Sequence, residues 1–146
     1  MKTILVVFLF SVTALVVACD KDKFETKPKI EIKDYNGKVI PLDGSLVIRL
    51  NYFDKEGDLG TGPLYIYRDR LNIFPPPVNG NRADTFRYSL PEFTDIDKGE
   101  IRIEFSGQEL KEGSVENDTI RFKIAVSDKA GNHSDTITTE NIVILK

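Results

Sequence analysis

Leu46-Val47-Ile48-Arg49-Leu50-Asn51-Tyr52-Phe53 is the stretch on which the reading of this chain turns. Leu46, Ile48, Leu50 and Tyr52 occupy alternate positions, with Val47, Arg49, Asn51 and Phe53 between them. A period of two places one set on each face of an extended strand, the first buried and the second largely wet. The pattern returns twice. Ile101, Ile103 and Phe105 alternate with Arg102 and Glu104, and Ile120, Phe122, Ile124 and Val126 alternate with Arg121, Lys123, Ala125 and Ser127. Ile30–Lys33, Leu64–Arg68, Thr85–Leu90 and Thr136–Leu145 are further candidate strands. Turn signals separate them at Asn36-Gly37, Asp43-Gly44, Gly57 to Gly62, Asn79-Gly80, Lys98-Gly99 and Gly131-Asn132. No window of twelve residues has the spacing of an amphipathic helix, and no internal repeat is present.

Seven short strands from Lys29 to Lys146 predict an all-β, antiparallel sandwich of two sheets, with a small closed barrel as the competing fold. The Cys and Trp of an antibody domain's core are both missing. The class expected is therefore immunoglobulin-like in the broad sense shared by fibronectin and cadherin modules. The chain has 146 residues, 40% apolar and 29% charged, enough for one core and too apolar for a disordered chain. One Cys rules out a disulfide scaffold, and a net charge of −3 argues against nucleic acid. A single His leaves little general acid–base machinery, and no G-x-S-x-G, P-loop, H-E-x-x-H or Gly-rich dinucleotide turn is present. No enzyme is expected.

Residues 1–18 read as a targeting segment. Lys2 precedes an apolar run from Ile4 to Ala18, interrupted only by Ser11 and Thr13, which is the layout of a secretory signal and short for a bilayer span. Val16-Val17-Ala18-Cys19 resembles the lipobox of bacterial lipoproteins. That resemblance implies cleavage before Cys19, a diacylglyceryl group on its sulfur and an acyl chain such as palmitate on its amine. Two or three chains anchor stably where one is marginal. Residues 19–28 are charged, ending at Pro28, and read as a flexible tether; residues 29–146 form the domain. Charged stretches after the Cys resemble export tags of surface lipoproteins in some Gram-negative bacteria, whereas Asp20 resembles the inner-membrane retention signal of enteric bacteria. The outer membrane is favoured, with the periplasmic face of the inner membrane as the alternative.

Two loops carry most of the chemistry. Asp54-Lys55-Glu56-Gly57-Asp58-Leu59-Gly60 follows the second strand, and Ser127-Asp128-Lys129-Ala130-Gly131-Asn132-His133-Ser134 follows the sixth. Both resemble recurring elements of small immunoglobulin-like domains in bacterial surface lipoproteins, a largely uncharacterised family. In an immunoglobulin-like sandwich the two connections emerge at one end. Asp54, Glu56, Asp58, Asp128 and Asn132 are thus expected to converge, and a hard cation such as Ca²⁺ would relieve their repulsion. The EF-hand pattern is not met, since its Gly position holds Leu59 and its final Glu position holds Tyr65. The competing reading is structural: the glycines permit tight turns while Asp54, Asp58 and Asp128 cap their own backbones.

Asn72 to Arg82 contains Pro75-Pro76-Pro77, a stiff extended segment that reads either as a partner-facing loop or as an edge cover. Tyr65 and Tyr67 alternate with Leu64 and Ile66, which places both phenols on the outer face beside Arg68 or Arg70. Tyr65, Tyr67, Phe74 and Arg82 are the candidate contacts for a sugar or protein partner. His133 adjoins Ser134 and Asp135 in sequence, which rarely makes a nucleophile triad. Asp118-Thr119-Ile120 and Asp135-Thr136-Ile137 resemble an O-glycosylation acceptor of some of these bacteria. The reading that joins these features is a lipid-anchored cell-envelope module without catalysis and with no required cofactor. Its alternative is a glycan-binding accessory to an outer-membrane uptake system.

Overall fold

The structure, a computed structural model, describes residues 26–72, 84–94, 97–111 and 116–146. Its elements run β1 (Lys29–Tyr35), β2 (Val39–Ile40), β3 (Ser45–Phe53), β4 (Pro63–Arg70), β5 (Thr85–Ser89), β6 (Lys98–Ser106), α1 (Gly107–Leu110), β7 (Asp118–Val126), β8 (Ile137–Thr138) and β9 (Ile142–Ile144). One sheet has the order β1-β3-β6 and the other β2-β9-β7-β4-β5, with β8 added on β7. The sheets remain separate layers and do not close into a barrel. Strands one, three and six facing four, five, seven and nine is the immunoglobulin-like distribution.

The alternation in β3 explains the core. Leu46, Ile48, Leu50 and Tyr52 are all buried, in register with Phe105, Ile103, Ile101 and Gly99 of β6. Phe105 of the first sheet stacks on Phe122 of the second, with ring centroids 4.9 Å apart and planes 10° from parallel, and Phe86 tilts onto Phe105 at 5.4 Å. Burying each such ring stabilises the fold by about 1.5–3 kcal/mol relative to leaving it exposed. Apolar packing across the layers does here what a disulfide does in an antibody domain.

Three details differ from the sequence expectation. Thr136–Leu145 is two strands, because Thr139 takes both hydrogen-bonding groups of Phe122: its N–H reaches the carbonyl at 2.9 Å and its hydroxyl receives the amide at 2.8 Å. Val39–Ile40 forms a short strand parallel to β9, so the second sheet is mixed and not wholly antiparallel. Ser106-Gly107-Gln108-Glu109 closes a single helical turn through a capping box, with the Ser106 N–H donating to Glu109 Oε2 at 2.8 Å and the Glu109 N–H donating to Ser106 Oγ at 3.2 Å. With β2 and β8 included, the described residues hold nine strands where seven were expected.

Register fixes which loops share an end. Lys29 pairs with Phe53, Phe53 with Lys98, Pro63 with Ser89, and Leu64 with Val126. The start of β1, the β3–β4 loop, the β5–β6 connection and the loop after β7 therefore lie together. Lys27 makes an ion pair with Asp135 at this same end.

Candidate functional site

The β3–β4 loop is built over an acidic foot. Asp54 is 1% exposed, and its N–H donates to the Asp97 carbonyl at 2.8 Å. Leu59, fully buried, pulls the chain back inward and delivers its own N–H to Asp54 Oδ2 at 2.7 Å. Gly57 turns the loop with φ 71° and donates to the Asp54 carbonyl at 3.2 Å. The loop after β7 is self-capped. Asp128, 3% exposed, accepts the Asn132 N–H at Oδ1 (2.7 Å) and the Asn132 side-chain amide at Oδ2 (2.8 Å). Gly131 sits at φ +90°, a conformation that a side chain would strain, and donates to the Asp128 carbonyl at 3.3 Å.

The loops touch directly. The Lys129 N–H donates to the Asp58 carbonyl at 3.2 Å. Gly62 lies so close to the second loop that a Cβ there would stand 2.0 Å from the Ser127 carbonyl oxygen. Glu56, Asp58 and Asp128 consequently each present a carboxylate oxygen, and these oxygens lie within 4.8 Å of one another. Like charges at about 4 Å repel by roughly 1 kcal/mol in water and about 4 kcal/mol in a half-buried setting. The Oδ1 atoms of Asp54 and Asp58 are buried and have no hydrogen-bond partner. A cavity of about 130 Å³ lined by Gly57, Gly60, Glu92, Phe93 and Lys129 opens against the same two loops.

Of the five residues expected to converge, three form the cluster. Asp54 lies outside that trio, buried at the base of the loop that carries Glu56 and Asp58. Asn132 serves Asp128 by donating to it. The capping expected as the structural alternative is present at Asp54 and Asp128, and the convergence is present too; one does not displace the other.

The aromatic candidates lie elsewhere. On β4, Leu64, Ile66 and Arg68 are buried on the core face, while Tyr65 is half-buried and Tyr67 exposed on the other. The expectation that the phenols stand beside Arg68 or Arg70 is corrected here. Arg68 shares the parity of Leu64 and Ile66, is fully buried, lies over the Phe86 ring at 5.9 Å and stands 3.7 Å from Asp84 Oδ1. Arg70 has that same parity and is ion-paired with Asp84. The cations beside the tyrosines come from neighbouring strands: Arg87 is 5.5 Å from the Tyr65 ring, and Lys123 is 5.6 Å from that of Tyr67. His133 adds a tilted ring contact to Tyr65 at 6.4 Å. Phe74 and Arg82, like Cys19 and the apolar run before it, lie outside the described residues.

Ser134 is structural: its hydroxyl accepts the Val126 N–H at 3.0 Å and donates to the Asp135 carbonyl at 2.9 Å. Thr119 is half-buried within β7, its N–H held by Asn72 Oδ1 at 2.6 Å, whereas Thr136 is exposed. Sequence reasoning missed a second cavity of about 600 Å³ along the lateral opening between β5 and β6, lined by Leu64, Tyr88, Leu90, Ile101, Ile103 and Glu109 among others. Burial, followed by the Glu109 charge, pushes the Tyr88 phenol above its ordinary value. Compared with known proteins, the chain matches no family model and no curated protein sequence. No described helix is long and apolar enough to cross a membrane.

Proposed function

We propose that this chain is a lipid-anchored, non-catalytic interaction module of a bacterial cell envelope, carried on the outer membrane through Cys19. One observation carries the reading: a complete two-sheet body begins at Lys29, ten positions after the chain's single Cys, which itself ends the sequence Val16-Val17-Ala18-Cys19. Ten extended residues reach about 33–36 Å, enough to hold a folded body clear of headgroups. Because β1 starts beside the Asp54 and Asp128 loops, an anchor at Cys19 turns that end of the sandwich toward the bilayer.

The non-catalytic part is supported by how the polar groups are used. Ser134 caps strands, Asp128 is held by Asn132, and His133 rests against Tyr65. Glycan binding draws less support, since cations already stand at both tyrosine rings. The test is fractionation of cells producing the wild-type chain or Cys19→Ala, each washed with carbonate, with and without a lipoprotein signal-peptidase inhibitor. The wild type should stay with the membrane and accumulate in uncleaved form under the inhibitor. A Cys19→Ala chain that remains with carbonate-washed membranes as fully as the wild type would overturn the proposal.

A further inference from the structure

We infer that Glu56, Asp58 and Asp128 are ligands of one Ca²⁺ ion, which ties the β3–β4 loop to the loop after β7. The inference goes beyond the anchor proposal and does not depend on it. Ca²⁺ takes oxygen ligands at 2.3–2.6 Å, so oxygens on opposite sides of one ion are about 4.6–5.2 Å apart. Three carboxylate oxygens within 4.8 Å of one another fit inside a single such sphere. The donor set is oxygen only, which suits a hard cation and not a thiol- or imidazole-seeking metal.

A second observation is independent of that clustering. Asp54 is 1% exposed, and only its Oδ2 has a donor; its Oδ1 is buried and unpartnered, as is Oδ1 of Asp58. Buried carboxylate oxygens without a donor are costly, and two of them sit in the same six-residue turn. Turn capping explains Asp54 Oδ2 and both oxygens of Asp128, and leaves these two atoms unexplained. A cation held by Glu56, Asp58 and Asp128 would compensate the Asp58 carboxylate directly. Its charge, or a water bound to it, would compensate Asp54 beneath. The Leu59 N–H bond fixes Asp54 at the base of the loop, and the Lys129–Asp58 backbone bond holds the two loops at this spacing before any ion arrives. The ligands come from both sheet connections at the end where β1 begins, so the ion would stiffen the face nearest the tether.

The experiment uses the full chain in detergent, stripped with EGTA and titrated with CaCl₂ by calorimetry, with melting curves in EGTA and in 5 mM Ca²⁺. One ion per chain should bind with a Kd of about 10⁻⁴–10⁻³ M, the range of extracellular modules. The melting temperature should rise by a few degrees, and equal Mg²⁺ should raise it less, since Mg²⁺ demands tighter octahedral geometry. Glu56→Gln and Asp58→Asn should each weaken binding by roughly tenfold, because ligand charge tunes affinity at such sites. Lys55→Ala should leave it unchanged. Glu56 is exposed, so its variant folds whatever happens at Asp58. Identical melting curves in EGTA and Ca²⁺ would overturn the inference, as would Ca²⁺ binding that Glu56→Gln leaves intact. Neither result bears on Cys19, which membrane partition tests separately.

Discussion

Replacing Gly62 by Ala tests whether the two acidic loops are held together as described. The new Cβ would meet the Ser127 carbonyl oxygen at 2.0 Å and the Leu59 carbonyl oxygen at 2.9 Å, both backbone atoms that cannot rotate away. Three hydrogen bonds converge there: Gly62 N–H to Leu59 at 3.0 Å, Ser127 N–H to Pro63 at 2.9 Å, and Leu90 N–H to the Gly62 carbonyl at 2.8 Å. Relieving the clash moves the loop by more than an ångström and breaks about two of these, at about 1 kcal/mol each. Residual overpacking adds about 1–3 kcal/mol. The expected loss is therefore about 3–5 kcal/mol. Gly37→Ala is the matched control: nothing lies within 4 Å of its Cβ, and Ala there should be neutral or stabilise by about 0.4–1 kcal/mol through the unfolded state. Urea unfolding followed by far-UV circular dichroism reads both. With a slope of about 1–3 kcal/mol/M, the Gly62→Ala midpoint should fall by more than about 1 M. A midpoint within about 0.3 M of the Gly37→Ala chain would refute the contact on which the acidic cluster depends.

Phe122→Ala removes the ring stacked on Phe105 between the sheets and should cost about 3–5 kcal/mol in the same assay. The Glu109 carboxylate, held by the Ser106 N–H and hydroxyl, lies below its ordinary value. A lowered native value means that the ionised group stabilises the fold above about pH 4.3, and that this contribution is lost as pH falls through the native value. Wild type should thus exceed Glu109→Gln in melting temperature at pH 7, with the gap closing as pH drops toward 3; a gap that widens on acidification contradicts the capping box. Tyr67→Ala, on an exposed face beside Lys123, should change stability by no more than about 0.5 kcal/mol. If a glycan array gives the same signal for the wild type and the Tyr67→Ala chain, or none for either, carbohydrate contact through this face is excluded.

The core was legible because its period was clean. Leu46 to Tyr52, Ile101 to Phe105 and Ile120 to Val126 each alternate, and each set is buried on the face that alternation assigns; Val47 and Ser127, expected on the wetter face, are buried as well. Arg68 obeys the same alternation despite its charge. Its parity with Leu64 and Ile66 points inward, and the Phe86 ring and the Asp84 carboxylate beside it make burial of the charge tolerable. The split of Thr136–Leu145 depends on the Thr139 hydroxyl meeting Phe122, a pairing across 17 residues that no local pattern announces. Ser106 and Glu109 did carry a local signal, the S-x-x-E spacing, in a segment too short to show helical periodicity. The clustering of Glu56, Asp58 and Asp128 was legible from topology, since the loops after the second and sixth expected strands had to share an end. The partition of roles within it, with Asp54 beneath and Asn132 serving Asp128, needed the geometry.

If this sandwich hangs from a membrane by Cys19, as proposed, the intact mass of the native chain extracted from membranes will report it. The expected species begins at Cys19 and carries the added mass of a diacylglyceryl group and an amide-linked acyl chain. A chain that retains residues 1–18, or one whose Cys19 is an unmodified thiol, would contradict it.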